Sequence, residues 1–288
     1  INAGSTNDVT LTAAGAITED GDAATVVRAD ELTATAGGSI TLDTTVATTD
    51  LTATAAGDID IDETDAIDLA SVTTADGSIT VDSGGALTAT DVNSSATDDD
   101  SNDISLTTTA GDIAVISINA GSTNDVTLTA AGAITEDGDA ATVLTADVLT
   151  ATAGSAITLD TTVATTDLAA TAAGDIDIDE TDSIDLNNLA TTDGNITIDA
   201  VGAIAADDST ISTNGDAILI NAGDKVEFYE DVTLTSGGGD ITITAGTYVV
   251  LGGSNTIASS GGNVVVRANL DTNESGNALT MSGVDLAN

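Results

Sequence analysis

Residues 32–43 read LTATAGGSITLD and residues 51–62 read LTATAAGDIDID, with 8 of the 12 positions identical. In the first stretch Leu32, Ala34 and Ala36 alternate with Thr33 and Thr35, and Ile40 and Leu42 alternate with Thr41 and Asp43. Period-two alternation sends successive side chains to opposite faces of a strand, and β-branched residues suit that pleated setting. Gly37 and Gly38, or Gly57 in the second stretch, stand where one alternating run gives way to the next and mark a corner. TTVATTD at 44–50 adds a third short strand around Val46. Three strands and three corners in about 20 residues predict one coil of a parallel β-helix. In that coil Leu51 stacks on Leu32 and Ile59 on Ile40.

The rhythm runs through the whole chain. A Gly-x-apolar step recurs at Ile17, Ile40, Ile59 and Ile79, then at Ile113 after a gap that reads as two shorter coils. A longer period lies over it: residues 1–26 recur without change at 118–143, and INAG returns at Ile220. The expected organisation is one continuous all-β solenoid over 1–288, built from units 1–117, 118–219 and a divergent 220–288. The second unit is shorter because it lacks the stretch around SSATDDDSND, the kind of loss a solenoid absorbs between modules. Roughly 14 coils rising about 4.8 Å each would make a rod of about 65 to 70 Å. The chain has no Pro, which would remove a ladder N–H from an interior strand. It begins and ends inside the pattern, which suggests a segment of something longer.

Composition narrows the function. Only 3 Lys and Arg residues face 48 Asp and Glu, for a formal net charge of −45. That balance excludes nucleic-acid binding, which needs Lys and Arg against phosphate, and an anionic membrane would repel the chain. No apolar run of membrane-spanning length is present, so membrane insertion is not expected. Aromatic residues are 1% of the chain, and Cys and His are absent. Disulfides, thiolate metal sites and imidazole acid–base chemistry are therefore unavailable. Some parallel β-helix enzymes cleave polysaccharides with carboxylates, but a catalytic sugar groove usually has several aromatic platforms and this chain has only Phe228, Tyr229 and Tyr248, and a duplicated face suits a spacer better than one active site. The expectation is a non-enzymatic protein.

The motifs LTATAGGSITLD, GDIDIDET, DGSITVDSGGALTAT and AGDIAVISINAG resemble the filamentous-haemagglutinin-like repeat regions of giant secreted bacterial proteins, a rhythm shared with S-layer-associated proteins and autotransporter passengers. The resemblance implies a right-handed solenoid displayed outside the cell, at the cell surface, as a stalk or fibre. The Asp excess and the long super-repeat depart from haemagglutinin shafts. The function expected is a structural shaft segment of an extracellular filament that associates with itself or continues as part of a giant chain. An adhesin passenger that binds a glycan or host surface is the alternative, and an ice-binding solenoid a minor one.

Two kinds of candidate site follow. Asp43, Asp62 and Asp82 close corresponding strands in successive coils, with copies at Asp160, Asp179 and Asp199. Stacking would hold these carboxylates roughly 5 Å apart, where like charges raise one another's pKa or recruit a cation. Calcium, a hard ion that takes carboxylate oxygens, is the cation expected; no other cofactor is. Solvent-facing aspartates that meet only diffuse counterions are the simpler reading. Asp98, Asp100, Asn102 and Asp103 form the other calcium candidate, a D-x-D-x-N turn without the Gly and distal Glu of an EF-hand loop. The densest acidic patch is Asp58, Asp60 and Asp62 with Glu63 and Asp65, repeated at 175–182. The pairs Thr33/Thr35, Thr52/Thr54 and Thr88/Thr90 raise the ice-binding option, although β-propensity alone accounts for them. The divergent third unit holds the lone Lys, Lys225, and all three aromatics, Phe228, Tyr229 and Tyr248.

Overall fold

A computed structural model describes residues 1–21, 26–97, 101–138, 143–268, 279–281 and 285–287. The described residues form strands and no helix, and the strands form a parallel β-solenoid of about 11 turns with roughly 22 residues per turn. Among the described residues, no helix is long and apolar enough to cross a membrane. The turns are fewer and longer than the coils expected, because the corners differ in length. The step from Ile40 to its partner Ile59 is short, whereas the step from Ile79 to its partner Ile104 takes in a longer corner. Contacts group the chain into two compact units, Ile1–Asp147 and Val148–Asn288. Their boundary falls inside the strand Val143–Ala153 and not at the edge of a duplicated segment.

Three aliphatic ladders line the first unit. One runs through Ile17, Ile40, Ile59, Ile79, Ile104 and Val126. A second holds Ile67, Leu87, Ile113 and Ile134. The third holds Leu11, Ala34, Leu51, Val72, Val92, Ile118 and Leu144. The second unit repeats the plan: Ile157, Ile176, Ile196, Ile218, Ile241 and Val264 make one ladder, and Ile184, Ile204, Val226 and Val249 another. Leu168, Leu189, Ile211, Leu234 and Ile257 make the third. Among the described residues the large apolar side chains of these cores are aliphatic apart from Phe228, which is fully buried in its layer.

Two expected pairings are corrected. Leu51 stacks on Ala34 and Leu32 meets Thr49, a slip of two positions from the Leu-on-Leu register. Because strand side chains alternate with period two, such a slip leaves every inward residue inward. It also sets a large side chain on a small one, which packs better than Leu on Leu. Ile113 does not follow Ile79; it belongs to the ladder of Ile67 and Leu87, one face further around.

The duplication is out of phase with the turns. Ile17 stands in the ladder that passes through Ile104 and Val126, whereas its copy Ile134 stands in the ladder of Leu87 and Ile113. Likewise Leu11 pairs with Ala34, and its copy Leu128 pairs with Leu106. The super-repeat is therefore five turns plus one face, and a repeated side chain reappears on the next face of the first unit.

Corners close without room for side chains where coils stack most tightly. A Cβ on Gly37 would lie 2.1 Å from the Ala14 carbonyl oxygen, so only glycine fits. Inward hydroxyls satisfy corner carbonyls: Thr74 Oγ1 donates to Gly57 O at 2.8 Å and Thr191 Oγ1 to Gly174 O at 2.7 Å. A buried carbonyl left without a donor would cost about 1 to 3 kcal/mol.

Candidate functional site

The Asp columns form as the register requires. Asp43 pairs with Asp62 and Asp62 with Asp82, and in the second unit Asp160, Asp179 and Asp199 do the same. Burial, then Asp60, Asp82 and Glu19, push the Asp62 carboxyl above its usual range. Asp60 and Asp177 rise for the same reasons, burial first and the neighbouring aspartates after it. The first column borders a depression of about 380 Å³ that Asp43, Asp62, Glu63 and Asp82 line together. Its side chains stand side by side: among the described residues no group of three carboxylates converges as a metal site.

In the D-x-D-x-N turn, Asp98 and Asp100 lie outside the described residues. Asn102 turns inward and is buried, its Nδ2 donating to Thr97 Oγ1 at 2.8 Å while its Oδ1 has no hydrogen-bond partner. Asp103 faces out and accepts from Asp125 N at 2.9 Å. These two neighbours thus leave the turn on opposite sides of the wall.

Asp103 exemplifies a device that gives part of the acidity a structural purpose. The residue just before a strand-opening aliphatic accepts, through its side chain, the N–H of the next coil. Asp58 Oδ1 accepts from Ser78 N at 2.9 Å, Asp112 Oδ1 from Ala133 N at 2.8 Å, Asp175 Oδ1 from Asn195 N at 2.7 Å and Asp240 Oδ1 from Asn263 N at 2.7 Å. The same residue's carbonyl accepts from the coil before it, as Asp58 O does from Ile40 N at 2.9 Å. A carboxylate accepting a backbone N–H makes a charge-assisted bond of the stronger kind. These aspartates bind coil to coil.

Two glutamates lie inside the wall. Glu63 is 4% exposed and Glu180 2%, each at the end of an I-D-I-D-E run. Glu63 Oε2 accepts from Thr44 Oγ1 at 2.8 Å and Val46 N at 3.0 Å, and Oε1 from Asp65 N at 3.1 Å. Glu180 repeats this with Thr161 Oγ1 at 2.9 Å and with Val163 N and Asp182 N at 3.0 Å. Burial pushes both carboxyls up against the pull of these donors, and Glu180 reaches about 7. Glu180 can therefore take up or release a proton near neutral pH inside a corner. The signal for both was parity: Glu63 is in phase with Ile59 and Ile61, so it points inward with them, although sequence reasoning grouped it with the acidic patch around Asp60.

The threonine pairs do not make one flat array. Thr35 stands opposite Thr52, Thr33 opposite Asp50, and Thr88 sits on another ladder between Asp68 and Ala114.

The second unit carries one further polar cluster. Lys225 Nζ donates to Glu227 Oε2 at 2.7 Å, Tyr229 OH to the same oxygen at 2.9 Å, and Tyr248 OH to Glu227 Oε1 at 3.2 Å. Burial works against ionisation of Glu227, but the bonds from Lys225 and Tyr229 outweigh it and hold its carboxyl below the usual range. The hydrogen bond to Glu227 raises Lys225, and the Tyr229 phenol rises for the same reason. Lys225 Nζ also lies 6.0 Å from the centre of the Tyr248 ring. No described protein family, curated protein or solved structure matches this chain.

Proposed function

We propose that this chain is a structural shaft segment of an extracellular surface fibre, one that extends and self-associates through its coils, with calcium or another divalent cation neutralising its acidic columns. The observation that carries the reading is the passage from one duplicated segment to the next: Ile104 meets Val126 and Ile113 meets Ile134 in unbroken parallel register. A coil needs only another coil as its partner, so length is added without new chemistry. The coil-to-coil aspartate bonds support the same role, since they turn acidic side chains to cohesion. Electron microscopy and fibre diffraction of the purified chain test it. Fibres are expected, with an axial reflection at about 4.8 Å and a longer repeat of about 25 Å for five turns and one face. Discrete particles at every concentration and calcium level would overturn the reading. A second reading, adhesion, draws on the Lys225 and tyrosine cluster.

A further inference from the structure

The outward face around Glu227 differs from the rest of the wall. Across 288 residues the chain has one Lys and two Tyr, and all three converge on this single carboxylate. Tyr229 is half out of the wall, at 50% exposure, and is one of three large hydrophobics so exposed among the described residues. The hydrogen bond from its hydroxyl to Glu227 restrains its ring. Tyrosine offers a large amphipathic surface at small entropic cost, and restraint before binding lowers that cost further. Beside Glu227 in the same outward column is Ala205, and beyond Ala205 is Asp185. The column thus sets a small alanine side chain between two carboxylates, close to the exposed Tyr229.

The chemistry of this surface selects its ligand. A cationic ligand would have to displace Lys225, which already holds both the carboxylate and the edge of the Tyr248 face. An anionic ligand would meet Asp185, Asp207 and Glu230 nearby and a chain of net charge −45. A neutral polyhydroxylated ring meets neither obstacle. Its C–H face can lie on Tyr229, while its hydroxyls find acceptors in Asp185 and the phenol lone pairs and donors in the remaining N–H groups of Lys225. Few polar groups around an apolar surface is the usual make-up of a small-molecule site. The geometry points to a binding site for a neutral hexose unit of a glycan at Tyr229, Tyr248, Lys225 and Asp185, with Glu227 as the residue that positions them. The site rests on the adhesion reading and does not depend on fibre formation.

Saturation-transfer NMR on the full chain tests the site, with maltose, cellobiose and lactose as neutral probes and oligogalacturonate as the anionic one. Transfer to at least one neutral disaccharide is expected, with millimolar affinity, which corresponds to about −4 kcal/mol. Tyr229→Ala should weaken it about tenfold, Tyr229→Phe much less, and Lys225→Met by an intermediate factor, while circular dichroism stays unchanged. No transfer to any neutral sugar, equal transfer with Tyr229→Ala, or preference for the uronate would each overturn the site. If no sugar binds and Tyr229→Ala instead abolishes self-association in sedimentation, the patch is a contact between copies and the glycan proposal fails.

Discussion

Residues 1–21 and 118–138 are the same letters in two settings. Ile1 is 62% exposed and its copy Ile118 fully buried; Leu11 and Ile17 are half-buried, whereas Leu128 and Ile134 are sealed. The local turns barely change. Gly4 N donates to Asn2 Oδ1 at 3.1 Å and Gly121 N to Asn119 Oδ1 at 3.0 Å; Asn7 Nδ2 donates to Ala3 O at 2.9 Å and Asn124 Nδ2 to Ala120 O at 2.7 Å. What separates the copies is the coil through Val92, Ile104 and Ile113, against which only the second is laid. Local sequence sets the turn, and the neighbouring coil sets the burial.

The largest test of that difference is a paired truncation. Leu128→Ala should cost about 3 kcal/mol, within the range for buried leucines, and Leu11→Ala about 1 kcal/mol, read from denaturant melts and from hydrogen exchange at the flanking amides. Fusing a copy of residues 79–117 ahead of Ile1 should raise the Leu11→Ala cost to that of Leu128→Ala. Equal costs in the unfused chain would show that the neighbouring coil does not set burial.

The two glutamate corners are a second matched pair, DIDIDETD at 58–65 and at 175–182. Their next register partners differ: Ser83 follows Glu63, and Ala200 follows Glu180. With the folded Glu180 carboxyl at about 7 and an ordinary glutamate at 4.5, the native state binds the extra proton between those values. The contribution of Glu180 to stability is therefore fully present at and below about 4.5 and is lost as pH rises from there through about 7, a loss of about 3 kcal/mol at most. Thermal melts from pH 5 to pH 8 should show this fall. Glu180→Gln should flatten it more than Glu63→Gln does. A wild-type melt that does not change across the window would remove the buried proton.

The smallest effect concerns the Asp columns. The first continues to Thr107 and the second to Asn221, whose Nδ2 donates to Asp199 Oδ1 at 2.7 Å and so partly offsets the stacked charge. At low salt Asp62→Asn should stabilise more than Asp179→Asn, by under about 1 kcal/mol after solvent screening. Calcium should erase the difference at lower ionic strength than sodium chloride does. If the two salts act alike at matched ionic strength, diffuse screening, not calcium binding, relieves the columns.

Sequence pattern carried a good part of this architecture. Alternation and glycine spacing gave the coil, the Ile40, Ile59 and Ile79 ladder, and the Asp43, Asp62 and Asp82 column, because those pairs are joined by corners of nearly equal length. Glu63 shares the parity of Ile59 and Ile61, yet the run of acids around it read as one outward patch, and only its burial in the folded chain separates it from Asp60 and Asp62. The slip of Leu51 onto Ala34 was not legible, since a shift of two preserves every face. Nor was the passage from Ile79 to Ile104, where corner length alone decides the partner. The roles of Asp58, Asp112 and Asp175 as coil-to-coil acceptors were hidden for the same reason: their donors lie a full turn away, on the next coil. By itself, then, the sequence determined which side chains face in, where the chain turns and that coils stack, because period two and glycine act within a few residues. The tertiary structure decided which coil meets which, that the duplicate starts one face on, and which acids are buried, because register and burial are properties of the neighbouring coil.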